Sequence, residues 1–90
     1  MILVDNPKIL HKILYKGAPF YHMTSTISTD ELHKFAKKLG LKKEWFQRDK
    51  HYHYDISHSK YLLAIKLGAK IVDSRIIVKE AKKLYENNKI

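Results

Sequence analysis

Residues 28–41 read STDELHKFAKKLGL, and the fold follows from how they are parsed. Ser28 is followed three residues later by Glu31, the hydroxyl-and-carboxylate pair that opens many helices. Leu32, Phe35, Ala36 and Leu39 then recur at i, i+3, i+4 and i+7, and Gly40 supplies the stop. Lys34, Lys37 and Lys38 lie off that apolar stripe, on a solvated basic face. An amphipathic helix must bury its stripe against a partner, so the flanking segments decide the architecture.

Upstream, residues 20–26 (FYHMTST) are aromatic and β-branched and read as a strand. Residues 2–4 (ILV) read as a second, short strand closed by Asp5, Asn6 and Pro7. Residues 8–15 (KILHKILY) carry apolar positions at helical spacing, with enough β-branching to permit a strand, and 16–19 (KGAP) form a turn. Downstream, a second helix is expected from Ser57 or Ser59 to Leu67, stopped by Gly68. A third begins at Asp73 or Ser74 and buries Ile77, Val78, Ala81, Leu84 and Tyr85, and residues 85–90 are expected to fray. The echo of LGLK and LGAK at the ends of the first two helices reflects shared capping chemistry. The expectation is a single α+β domain over residues 1–90, with two or three short N-terminal strands packed against three helices.

Ninety residues leave room for one core. A chain of this size buries roughly 60–65% of its unfolded surface, so its stability margin is thin. With no cysteine, disulfides, thiolate metal sites and a cysteine nucleophile are excluded. No apolar run approaches the ~20 residues that span a bilayer. A cytoplasmic protein is expected. The formal charge of +9 comes from 18 basic against 9 acidic residues, and all the bases but Arg48 and Arg75 are lysines. Base-edge readout and bidentate phosphate clamps favour arginine's planar fork, whereas lysine is a solvated point charge, so the imbalance implies an anionic partner or a solvating surface.

Chemistry concentrates in residues 51–58, HYHYDISH. His51, His53 and Asp55 alternate and would share one face of a strand, as the opening ligands of a zinc hydrolase do. The metallo-β-lactamase pattern fails here, because Ile56 follows Asp55, His58 comes two residues late, and the chain is too short for that fold. A catalytic reading makes His53 a general base oriented by Asp55. A third reading places an anion at the start of the second helix, beside His53, Ser59 and Lys60, with Trp45, Tyr52 and Tyr54 as flat faces for a base.

Taken together, Tyr21-His22-Met23, Asp30-Glu31-Leu32-His33, Phe35-Ala36, Leu39-Gly40-Leu41, Trp45-Phe46-Gln47, His53-Tyr54-Asp55-Ile56, Ser59-Lys60, Ala64 and Gly68-Ala69 resemble the family named domain of unknown function 4031. Its members are small proteins of phages and bacteria. The resemblance spans about residues 20–70 and singles out His22, His33, Gln47, His53, Asp55, Ser59 and Lys60, leaving His51 and His58 outside.

The expected function is non-catalytic binding of a phosphate-bearing small nucleotide, by analogy with small basic phage proteins that sequester host immune signals such as cyclic dinucleotides or ADP-ribose derivatives. In this expectation Lys60 and Arg48 hold phosphate and Trp45 or Tyr54 stacks on the base. His53, Asp55 and Gln47 bond sugar or base edges, Ser59 sits at the helix start, and His22 and His33 are secondary candidates. No catalytic residue, metal ligand or cofactor is assigned, and self-association into a homo-oligomer is expected. The alternatives are a phosphodiester hydrolase or nuclease using His53 and Asp55, and sequence-independent nucleic-acid binding through the lysines of the first helix.

Overall fold

In the computed structural model, residues 1–5 and 21–88 are described. The expected element at 8–15, the turn at 16–19, Phe20 and the last two residues of the expected tail lie outside them. The fold is α+β: β1 (Ile2–Asp5), β2 (Tyr21–Ser25), α1 (Thr29–Lys38), β3 (Phe46–Gln47), β4 (His53–Ile56), α2 (His58–Lys66), β5 (Lys70–Val72) and α3 (Ser74–Asn88). The two N-terminal strands and three helices stand where the sequence places them. The sheet is wider than two or three strands, because β3, β4 and β5 join it in the order β3-β4-β2-β1-β5. β3 and β5 are two and three residues long, too short for period-two alternation to declare itself, whereas β4 holds the alternating His53 and Asp55. β5 runs parallel to β1, and the other pairings are antiparallel.

Ser28 caps α1 by accepting a hydrogen bond from the Glu31 backbone N–H at 3.0 Å. The reciprocal half of the expected box is absent. The Ser28 N–H donates instead to Ser25 Oγ, and the Glu31 carboxylate accepts from the Ser25 hydroxyl and from the Met1 ammonium at 2.9 and 3.1 Å. Both α1 and α2 end in Schellman geometry. Leu41 N–H reaches Ala36 O, Ala69 N–H reaches Ala64 O, and Gly40 and Gly68 hold φ values of +80° and +109°. The Leu-Gly echo is thus a repeated cap.

Leu32 and Ala36 of α1 and Leu39 at its C-cap, with Tyr61 and Ala64 of α2, bury against Ile2, Val4, Tyr21, Met23, Tyr54 and Ile56 of the sheet. On α3 the buried positions are Ile77, Ala81 and Leu84, while Val78 is 53% exposed, contrary to expectation. A stripe through 77, 81 and 84 turns position 78 toward the rim. α3 is helical through Asn88.

The Glu31 contacts predict an acid response. Burial raises its carboxyl pKa, but the Ser25 hydroxyl and the Met1 ammonium outweigh burial and hold it below the ordinary glutamate range. A depressed folded-state value means the stabilisation is present above the unfolded value and is lost as pH falls through the folded one. Denaturant titrations across the acid range should therefore show a loss of stability in the wild type that is smaller in Glu31→Gln. Parallel curves for the two proteins would remove Glu31 from the account.

Candidate functional site

Strand register builds the site. His22 of β2 pairs with Asp55 of β4, Tyr21 with Ile56, and Met23 with Tyr54. Alternation therefore buries Tyr54 and Ile56 and leaves His53 and Asp55 together on the opposite face, beside His22. β1 ends at Asp5 next to His22, so three adjacent strands bring Asp5, His22, His53 and Asp55 to one surface.

Each histidine is held through Nδ1. The His22 ring Nδ1 lies 2.8 Å from Asp5 Oδ2, and the His22 backbone N–H donates to Asp5 Oδ1 at 3.0 Å. His53 Nδ1 lies 2.8 Å from the His51 carbonyl. The intervening Tyr52 is pinned at both backbone groups, its N–H donating to Ala81 O of α3 and its carbonyl accepting from the Thr24 hydroxyl. The 51–53 turn is thereby fixed to both β2 and α3. The opposite ring nitrogens converge: His53 Nε2 is 3.2 Å and His22 Nε2 is 3.5 Å from Asp55 Oδ1. The Asp5 carboxylate raises the His22 pKa against the effect of burial. His53 beside it, more than the opposing burial, holds the Asp55 carboxyl below the ordinary range, with His22 contributing.

Next to this cluster is a cavity of about 460 Å³ lined by Leu41, Glu44, Trp45, Gln47, Asp55, Ser57 and Lys60. Trp45 ends a single 3₁₀ turn (Lys43–Trp45) just before β3, and the residue is 46% exposed, with Lys42 Nζ 5.8 Å from the ring centroid. Lys60 enters from the first turn of α2, where its backbone N–H donates to the capping Ser57 Oγ. Its Nζ passes close to Gly40, where a Cβ would stand 3.3 Å away.

The structure thus gathers Trp45, Gln47, Asp55 and Lys60, with His53 and His22 on the adjoining face. The other candidates lie elsewhere. Tyr54 is 1% exposed in the core, so its ring is unavailable for stacking on a ligand. Its hydroxyl lies 2.8 Å from Nδ1 of His33. Burial, then Lys43 and Arg48, hold the His33 pKa below its ordinary value, so the neutral ring accepts that hydrogen bond. Arg48 sits 5.9 Å from the Phe46 ring and does not line the cavity. Ser59 Oγ contacts Ser57 Oγ, and Ser57 is the residue that caps α2. His51 contributes its carbonyl, and His58 Nδ1 lies 2.8 Å from the Tyr21 hydroxyl, so the spacing-based trio of His51, His53 and His58 does not assemble. Asp5 is the residue sequence reasoning leaves out of the site, and its signal was an acidic residue ending an apolar strand. Ser57 entered it only as one of two serines able to cap the same helix.

A family model described as protein of unknown function, DUF4031, matches residues 2–84. No curated protein and no solved structure matches the chain. No described helix is long and apolar enough to cross a membrane.

Proposed function

The chain belongs to the DUF4031 family, whose description assigns no activity, and we propose from its own site that it binds a phosphate-bearing nucleotide in the cavity beside Asp55. The observation that carries this reading is the meeting of Trp45, Gln47, Asp55 and Lys60 around one cavity of nucleotide size. Each supplies one part of such a ligand's needs. The exposed Trp45 face stacks on a base, the Lys60 ammonium meets a phosphate, and the Gln47 amide and the carboxylates of Asp55 and Glu44 bond base edges or ribose hydroxyls. A chain carrying +9 favours an anionic ligand at long range. Among the described residues β5 and β3 end the sheet, and these open edges support the self-association expected of so small a domain.

Calorimetry with cyclic dinucleotides, ADP-ribose derivatives and mononucleotides tests the reading. One class should bind. Lys60→Ala and Trp45→Ala should each weaken it by about tenfold or more, since a charge-assisted hydrogen bond is worth about 1.5–3 kcal/mol and base stacking about 1–3 kcal/mol. Ser59→Ala should leave it unchanged. No heat from the folded protein with any member of the panel would sink the proposal. Affinity for any nucleic acid that falls steeply with salt and ignores Trp45 would shift the reading to the lysines of α1.

A second reading, hydrolysis of a phosphodiester, is favoured by the position of Asp55, which lines the cavity while its Oδ1 faces His53 and His22. Turnover of a bound nucleotide that disappears in His53→Ala would select it over binding alone.

A further inference from the structure

The tautomers of the two histidines follow from what each Nδ1 faces. A carboxylate (Asp5) and a backbone carbonyl (His51) can only accept, so each Nδ1 carries the proton and donates. In the neutral rings both Nε2 atoms then present lone pairs, and both lie within 3.5 Å of Asp55 Oδ1. That oxygen is itself buried and, among the described residues, accepts no hydrogen bond. Three lone-pair donors facing one another without a proton or cation between them repel, and a buried acceptor left bare is costly.

The same arrangement is what a metal ion requires. Ligating histidines characteristically donate their other ring N–H to a carboxylate or a backbone carbonyl, and both partners are present here. The spacing also fits. With metal–ligand bonds of about 2.0–2.1 Å, the edge of a tetrahedron is about 3.3–3.4 Å, and the measured edges from Asp55 Oδ1 are 3.2 and 3.5 Å. Donor atoms of all three residues lie within 4.8 Å of one another. The cluster is open on one side to a cavity of about 240 Å³ against α3 and borders the nucleotide-sized cavity on the other through Asp55.

We propose that His22, His53 and Asp55 form a binding site for one divalent transition-metal ion, held by His22 Nε2, His53 Nε2 and Asp55 Oδ1, with Asp5 and the His51 carbonyl as positioning groups. Two imidazoles and one carboxylate select a borderline ion such as Zn²⁺ over Mg²⁺ or Ca²⁺, which favour all-oxygen sites. Three protein ligands leave at least one position for water or a ligand oxygen. The site stands on its own geometry and does not depend on the nucleotide reading. If both hold, the ion also neutralises the Asp55 carboxylate that would otherwise face a phosphate.

The test uses the full chain, stripped with a chelator, dialysed, and titrated with Zn²⁺ by calorimetry and with Co²⁺ by visible absorption. The expected result is one ion per chain, a rise in melting temperature with Zn²⁺, and the intense visible bands of four- or five-coordinate Co²⁺. Asp55→Asn and His53→Gln should each weaken Zn²⁺ binding by more than about 100-fold, and Asp5→Asn by about 10–100-fold. His58→Ala should bind as the wild type does. Metal-free Asp55→Asn should be at least as stable as the metal-free wild type at mildly alkaline pH, because the new amide N–H can donate to a histidine lone pair. A merely structural histidine–aspartate contact predicts the reverse. Absence of stoichiometric Zn²⁺ binding in the wild type, or binding that survives both Asp55→Asn and His53→Gln, would overturn the proposal.

Discussion

Tyr54→Ala is expected to destabilise the domain by about 3–5 kcal/mol, the usual cost of removing a large aromatic side chain from a core. Tyr54 is 1% exposed, and its ring packs near Phe46 and edge-on to His33. Its backbone belongs to β4, between the two residues that face the site. Losing that anchor removes the force that seats β4 against β2, so His53 and Asp55 lose their placement along with the core. Tyr54→Phe isolates the hydroxyl. Burial raises the Tyr54 pKa and keeps the group a donor, so its deletion leaves His33 Nδ1 without that partner, at about 1–2 kcal/mol. Urea unfolding of both variants reads the two costs. If Tyr54 were instead a stacking platform for ligand, Tyr54→Ala would lower affinity while leaving the unfolding midpoint in place, and that result would contradict the packing argument.

Asp5→Ala is the second large effect, expected at about 2–4 kcal/mol in metal-free protein. One buried carboxylate satisfies both the backbone N–H of His22 and its ring, and hydrogen bonds to a charged group are each worth about 1.5–3 kcal/mol. Alanine removes both acceptors and frees the ring to exchange tautomers. Asp5→Asn retains an acceptor for one of the two donors and should cost less. Denaturant unfolding gives the energies, and ¹⁵N NMR of the imidazole gives the tautomer. A loss within about 0.5 kcal/mol, the scale of an ordinary surface substitution, would show that Asp5 does not hold the ring.

Much of this was legible along the chain. The α1 stripe, its serine cap and both glycine stops are local patterns that depend on residues at most a few positions apart. β1 and β2 announced themselves by composition, and Trp45, Gln47, Asp55 and Lys60 were identifiable by residue type. What misled was chemistry that looks alike in sequence. Tyr54 and Trp45 are both aromatic residues near polar ones, yet strand alternation buries the first, and the 3₁₀ turn exposes the second. Ser57 and Ser59 could each cap α2, and backbone geometry picked Ser57.

The sequence by itself determined the helices, the single core and the concentration of histidines, because periodicity and capping act over one or two turns. Only the tertiary structure decided which histidines meet. His51, His53 and His58 are neighbours in the chain, but one offers its carbonyl and another turns to Tyr21. His22 and Asp5 come from β2 and β1, and antiparallel register sets them beside His53 and Asp55. That pairing is enforced by burial of Val4, Met23, Tyr54 and Ile56 on the opposite face, since a one-residue slip of any strand would turn its own buried residues off that face.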